Sequence, residues 1–161
     1  MNIKEYNRCV EEHADGLFRF LLKNTKDEEL ARDLVQESFL KIWEKRDIIE
    51  PEKSKTYLFT TAYHLMIDYF RKEKRNVDFE TVEFKEEGGN NHYSDLKEVL
   101  NAAVEKLPAI QKSVLLLRDY EGYSYKEIAE ITGLNESQVK VYIYRARVFL
   151  KKYLVSMDML V

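Results

Sequence analysis

Ser124-Tyr125-Lys126-Glu127-Ile128-Ala129-Glu130-Ile131-Thr132-Gly133-Leu134-Asn135-Glu136-Ser137-Gln138-Val139-Lys140-Val141-Tyr142-Ile143-Tyr144-Arg145-Ala146-Arg147 is the stretch on which the fold turns. Ser124 with Glu127 three residues on fits a capping box, so a short helix starts there. Gly133 suits the left-handed conformation that closes such a helix, and Asn135 caps the next one, which runs to about Tyr153. A short helix, a turn at Thr132-Gly133-Leu134 and a longer helix make a helix-turn-helix, the motif whose second helix enters the major groove. At 100° per residue, Val139, Ile143, Ala146 and Leu150 form one packing stripe, while Lys140, Val141, Tyr144, Arg145, Lys151 and Lys152 point away. Ser137 to Met157 holds five Lys or Arg and no carboxylate. A merely solvated helix mixes both signs, which weighs against the plain alternative of a basic face on an ordinary hairpin.

Upstream, Pro108 suits a first helical position, and Ile110, Val114, Leu115 and Leu117 supply that helix's buried side. Another helix runs from Ser94 or Asp95 to about Lys106. The segment 76–94 reads as a flexible acidic linker: helical periodicity fails and Gly88-Gly89-Asn90-Asn91 interrupts it. Residues 76–106 carry 3 Lys or Arg against 8 Asp or Glu, whereas residues 1–75 carry 15 of each and residues 107–161 carry 8 and 6. The net charge of −3 therefore hides a segregation, and distribution matters more than total for nucleic-acid binding.

Three helices precede the linker. The first spans about Ile3 to Lys23, with Tyr6, Val10, Leu17, Phe20 and Leu21 as core. The second runs from an Asp27 cap to about Arg46, with Ala31, Leu34, Val35, Ser38, Phe39 and Ile42 on one face. Pro51 breaks the chain, and the third spans about Lys53 to Arg75 with Leu58, Ala62, Leu65 and Tyr69 in line. With 161 residues, 45% hydrophobic and 34% charged, the chain has cores to bury. Only 5 Gly and 2 Pro disfavour sandwiches, barrels and glycine-rich nucleotide folds. The expected fold is all-α: a domain at 1–75, the linker at 76–94 and a helix-turn-helix domain at 95–161. No apolar run reaches the roughly 20 residues of a spanning helix and no secretory leader opens the chain, so a cytoplasmic protein without membrane insertion is expected.

Two further surfaces carry chemistry. On the third helix, Thr60, His64, Asp68, Arg71 and Arg75 share a polar face, Lys72 and Lys74 add charge, and Tyr57 and Tyr63 flank it with aromatic surface. Cations interleaved with rings suit a single nucleic-acid strand, whose bases stack while its phosphates are tracked. The plain alternative is a helix end carrying dipole-favourable cations, with Asp68 pairing Arg71 or Lys72. On the second helix, Leu40 and Trp43 stand among Asp33, Gln36, Glu37 and Glu44, an apolar anchor in a polar rim that reads as a protein-docking patch. Enzyme motifs are missing: no phosphate-binding glycine loop, no Gly-x-Ser-x-Gly and no His-Glu-x-x-His. Cys9 and His13 stand four apart without companion ligands, so neither a metal nor a cofactor is expected.

These blocks resemble the extracytoplasmic-function sigma factors of the sigma-70 family. Asp33-Leu34-Val35-Gln36-Glu37-Ser38-Phe39-Leu40-Lys41-Ile42-Trp43 is similar to their region 2.1 to 2.2. Thr56-Tyr57-Leu58-Phe59-Thr60-Thr61-Ala62-Tyr63-His64 through Ile67-Asp68-Tyr69-Phe70-Arg71-Lys72 is similar to regions 2.3 and 2.4, and Leu107-Pro108 onward resembles region 4. The resemblance implies that Asp33, Gln36, Glu37, Leu40 and Trp43 contact core RNA polymerase. It implies that Tyr57, Thr60, His64, Asp68, Arg71, Lys72 and Arg75 open and read the minus-ten element. It implies that Gln138, Lys140, Val141, Tyr144, Arg145, Arg147 and Lys151 dock on the minus-thirty-five element. His64 stands where the family usually has Asn, and Tyr57 where Trp is common. Promoter DNA, core polymerase and an anti-sigma factor, membrane-anchored in some systems, are the implied partners, with a monomer when free. The competing reading is a free-standing helix-turn-helix regulator that binds duplex operators by itself.

Overall fold

The computed structural model describes residues 1–77 and 96–159. Among them every regular element is helical. Helix α1 (Ile3–Thr25) opens on a capping box, in which the Asn2 side chain accepts from the Glu5 amide at 2.8 Å and Glu5 accepts from the Asn2 amide at 3.1 Å. It closes on Lys26 in the left-handed region, φ 57°, whose amide donates to the Leu22 carbonyl. Asp27 caps α2 (Glu28–Glu44) through the Leu30 amide. Two short 3₁₀ turns, Arg46–Ile48 and Pro51–Lys53, then lead into α3 (Ser54–Val77).

After the undescribed stretch come α4 (Leu96–Glu105) and α5 (Ala109–Leu115). Pro108 is the cap of α5 rather than its first helical residue. A π-helical turn, Leu116–Tyr120, comes next, closed by the Glu121 amide donating to the Leu116 carbonyl at 3.0 Å. The helix-turn-helix is α6 (Tyr125–Thr132) and α7 (Glu136–Ser156). The Ser124 and Glu127 capping box is present, Gly133 takes φ 78°, and Asn135 with Gln138 forms a second capping box. The linker expected at 76–94 lies almost wholly outside the described residues; 76 and 77 extend α3.

The helices pack in two groups: α1 on α2 and α2 on α3, then α5 and α4 on α7 with α6 against α7. Val139, Ile143 and Ala146 are buried as their stripe requires, and Leu150 is half-buried. The buried line of α3 is turned from the expected one: Leu58, Phe59, Ala62, Tyr63 and Met66 are buried, while Leu65 and Tyr69 are only partly covered. The cause is a seam between the two groups, where α6 lies against α3 and α1 meets α5. Phe59 sits in that seam, 5.7 Å from the Phe20 ring and 5.4 Å edge-on from Tyr123. Burying such a ring contributes about 1.5–3 kcal/mol.

The seam also has polar ties. Glu121 accepts from the Arg19 guanidinium through both carboxylate oxygens, at 3.1 and 3.2 Å. Its side chain is 6% exposed against 49% for Arg19. The Lys55 ammonium donates to the Glu121 carbonyl at 3.2 Å and lies 4.6 Å from the Tyr123 ring centre. The Tyr123 hydroxyl donates to the Lys55 carbonyl, and Ser113 donates to the Asn24 side-chain oxygen at 2.8 Å. Burial pushes the Tyr123 phenol far above its ordinary range, so this donor keeps its proton.

Candidate nucleic-acid interface

Beside α3 lies an open cleft of about 890 Å³. One wall is α2, through Lys41, Glu44 and Lys45; the floor is α3, through Thr56, Tyr57, Thr60, His64 and Asp68; the far wall carries Glu127 and Glu130 of α6. Tyr57 and Thr60 are half-buried, whereas His64 and Asp68 are exposed. Thr60 donates its hydroxyl to the Thr56 carbonyl at 2.7 Å, which leaves its oxygen only as an acceptor toward the cleft. Arg71, Lys72 and Arg75 continue along α3 as exposed cations. The Asp68 to Arg71 pair, 3.9 Å apart with both side chains largely exposed, holds neither firmly. Tyr63 is buried and cannot offer the aromatic surface expected of it. The remaining arrangement is a ring, an acceptor hydroxyl, an imidazole and a row of cations, which suits a strand with its bases turned outward.

The expected docking patch on α2 divides. Asp33, Gln36 and Glu37 are exposed and Leu40 is 56% exposed. Trp43 is half-buried: the Tyr6 ring meets it edge-on at 4.9 Å and the Arg46 guanidinium lies 3.9 Å from its centre. Leu40 alone of the two stands free as an apolar anchor; Trp43 is first a packing residue with one edge outward.

On α7, Lys140, Val141, Tyr144, Arg145 and Lys151 all face solvent, Tyr144 at 70% exposure. Three contacts qualify the expected set. Gln138 accepts from the Asn135 amide at 3.1 Å, so its oxygen serves the cap. Arg147 forms a two-point pair with Asp119 at 2.6 and 3.2 Å, which holds its guanidinium above the ordinary value against a smaller cost of burial. The Lys140 ammonium lies 5.5 Å from the Tyr125 ring, and the Arg118 guanidinium lies 4.5 Å from the same ring. Arg118 and Tyr125 are thus candidates that the helical stripe of α7 could not reveal, since they come from the preceding turn and α6. Their only sequence signal is an Arg and a Tyr flanking the capping box at Ser124. Lys41 and Lys45 at the cleft rim were likewise legible only as helix-end cations.

Similarity to known proteins covers both surfaces. Residues 9–76 match the family Sigma-70 region 2, and residues 97–150 match Sigma-70, region 4. The RNA polymerase sigma factor SigV of Bacillus subtilis is 34% identical over 154 residues, covering 94% of this chain and 92% of its own. The ECF RNA polymerase sigma factor SigM of the same organism is 33% identical over 144 residues, 86% of this chain and 88% of its own. Among solved structures, the sigma factor RpoE of Bartonella quintana, crystallised with the anti-sigma factor NepR, superposes with a TM-score of 0.79 at 26% identity. That match covers 94% of this chain and 98% of RpoE. A free-standing regulator is not favoured, because the likeness runs through both helical groups and not through the helix-turn-helix alone. With two regions matched in order and relatives a third identical over nearly their full length, the chain belongs to the sigma-70 family, as an extracytoplasmic-function sigma factor that directs transcription initiation by RNA polymerase.

Proposed function

We propose that the two basic faces divide promoter recognition between them: α3, with Tyr57, Thr60, His64, Asp68, Arg71, Lys72 and Arg75, takes the separated minus-ten strand. The face of α7 bearing Lys140, Val141, Tyr144, Arg145 and Lys151 reads the minus-thirty-five duplex. The single observation that carries this is the contrast in form. The α3 surface is a cleft with an aromatic and hydrogen-bonding floor, while that of α7 is the exposed side of one helix with a smaller, open hollow beside Gln138, Val141 and Arg145, and a helix is what a major groove admits. Gln138 acts by fixing the first turn of α7, and Arg147 by holding α7 to Asp119. The working boundaries are 1–75 for the first module, 76–94 for the linker and 95–161 for the second.

Core polymerase docks on α2 through Asp33, Gln36, Glu37 and Leu40, with the outer edge of Trp43. An anti-sigma factor is the natural inhibitor by analogy with the RpoE and NepR pair, and the protein acts as a monomer in the cytoplasm. Among the described residues no helix is long and apolar enough to cross a membrane. Run-off transcription with core polymerase on genomic fragments tests the reading. Transcripts are expected only with both proteins present, and tight operator binding by the chain alone would replace it with a free-standing regulator. Leu40→Ala is expected to weaken core binding by about 1–3 kcal/mol with the fold intact; unchanged affinity removes α2 from the polymerase contact.

A further inference from the structure

The exposed cations of α7 are not equivalent. Among the described residues, Arg145, Lys151 and Lys152 have neither an ion pair nor a ring contact. The long stems of the two lysines leave their charge free to follow whichever phosphate is near. Arg147 is tied to the Asp119 carboxylate at 2.6 and 3.2 Å, which engages two of its N–H groups. Lys140 is held in a third way, with its ammonium 5.5 Å from the centre of the Tyr125 ring. A ring face attracts a cation through its quadrupole, whereas a carboxylate takes hydrogen bonds from it. Lys140 is therefore restrained while its three N–H donors stay available to a base.

Tyr125 is itself fixed. It is the first residue of α6, directly after the Ser124 cap, and the Ser124 and Glu127 capping box sets the backbone there with bonds of 3.1 and 3.2 Å. Its ring is half-buried against the core, and the Arg118 guanidinium lies 4.5 Å from its centre. Arg118 in turn donates to the Tyr123 carbonyl at 2.9 Å. The ring thus belongs to the frame made by α6 and the turn before it, while Lys140 stands in the second turn of α7. A lysine is a point charge on a flexible four-carbon stem and lacks the rigid fork with which arginine reads guanine. To discriminate between base edges its ammonium must wait in one place, as any recognition group must be pre-placed by its support.

We propose that Tyr125 is a positioning residue for promoter reading: its ring holds Lys140 in place with its donors free, so that this lysine distinguishes base pairs while Lys151 and Lys152 only follow phosphates. The inference rests on the reading of α7 as the minus-thirty-five face and deepens it, by naming what makes one of its cations selective.

The test uses holoenzyme transcribing a minus-thirty-five promoter library at two salt concentrations, with circular dichroism of each variant. Tyr125→Leu removes the ring and keeps apolar bulk. Tyr125→Phe keeps the ring, and a trifluorinated phenylalanine at 125 keeps its shape while draining the negative face that attracts a cation. Tyr125→Leu is expected to relax preference at the same one or two base pairs as Lys140→Ala, by about two- to fivefold, the worth of an exposed cation–π contact. Salt dependence should not change, since Lys140 keeps its charge. Tyr125→Phe should read as wild type and the fluorinated ring as Tyr125→Leu. Added to Lys140→Ala, Tyr125→Leu should relax the preference no further. If Tyr125→Leu loses helix, the fluorinated ring decides. Uniform weakening of all promoters makes Tyr125 a mere packing residue, and sharper preference means that the ring competes with the base for Lys140; either result overturns the proposal, as does a fluorinated ring that reads as wild type. Lys140→Ala separates the causes of failure. If it relaxes one or two base pairs while loss of the ring does not, the α7 reading stands and the role of Tyr125 falls; if it lowers every promoter alike, both fall.

Discussion

The outward faces of α3 and α7 carry the same raw material, cations with tyrosines at helical spacing, yet they differ in what surrounds them. The α3 face is the floor of a cleft with walls from α2 and α6; the α7 face is open to solvent, with Tyr144 the most exposed of its large hydrophobic side chains. Helical spacing says which residues share a side of a helix, and tertiary neighbours decide whether that side is a groove or a ridge. A groove favours an unpaired strand whose bases must be gripped one at a time, and a ridge favours a duplex read along its edge.

The comparison breaks first at Tyr57. In holoenzyme, Tyr57→Ala combined with Arg71→Ala removes a stacking ring and a phosphate contact, and promoter opening is expected to fall by about 2 kcal/mol or more. Permanganate reactivity of thymines near the start site measures it, and opening at the wild-type level would make the cleft a mere gap between helices. A smaller and differently shaped effect is expected on the ridge. Lys140→Ala should relax preference at one or two base pairs of the minus-thirty-five element by about 1–3 kcal/mol, read from transcription of a promoter library. Lys151→Ala should weaken all promoters alike and lower the salt dependence by about one counterion, seen by repeating the library at two salt concentrations. If Lys140→Ala acts uniformly and Lys151→Ala alters base preference, α7 docks the other way round. The smallest effect is expected from Asp119→Asn. Freeing the partly exposed Arg147 guanidinium should change duplex affinity by less than ~1 kcal/mol, as filter binding of the holoenzyme would show. A larger gain would mean that Arg147 is a phosphate contact kept in reserve by Asp119.

Lys112 offers a way to sharpen the contrast from inside. It is buried in α5, and desolvation lowers its pKa, with Lys26 adding to the effect and Glu105 opposing it. Replacing a buried ammonium by an apolar chain of similar length removes that cost. Lys112→Met is expected to raise Tm by about 2–4 °C per kcal/mol regained, measured by calorimetry, while leaving the solvent-facing ridge of α7 unaltered.

What the sequence made legible is local. The capping box at Ser124 and Glu127, the left-handed Gly133 and the Asn135 cap each depend on residues within four positions of one another, and all three are present. The stripe of Val139, Ile143 and Ala146 is buried because a single helix repeats it. The misjudged residues are those whose surroundings come from far along the chain. Trp43 is covered by Tyr6 from another helix. Tyr63 is buried and so is lost to the polar face of α3. Arg19 and Glu121 are 102 residues apart, and no periodicity connects them. Charge counting placed acid between the modules but gave no sign that Glu127 and Glu130 would line a cleft with Tyr57.

The π-helical turn at Leu116–Tyr120 bears on how such a joint can change. A π turn accommodates one residue more than the regular helix would, so the chain leaving it keeps nearly the phase of a helix without that residue. Deleting one residue here would wind the segment back to regular α-helix at nearly the same phase, whereas an added residue that the turn cannot absorb would rotate the downstream chain by about 100°. Glu121 and Tyr123 would then swing away from Arg19 and Lys55 with their identities untouched. Whether the two halves meet is in this sense a matter of counting: a chain with every seam residue retained and one position more than this turn absorbs would present an acid and a tyrosine to empty solvent.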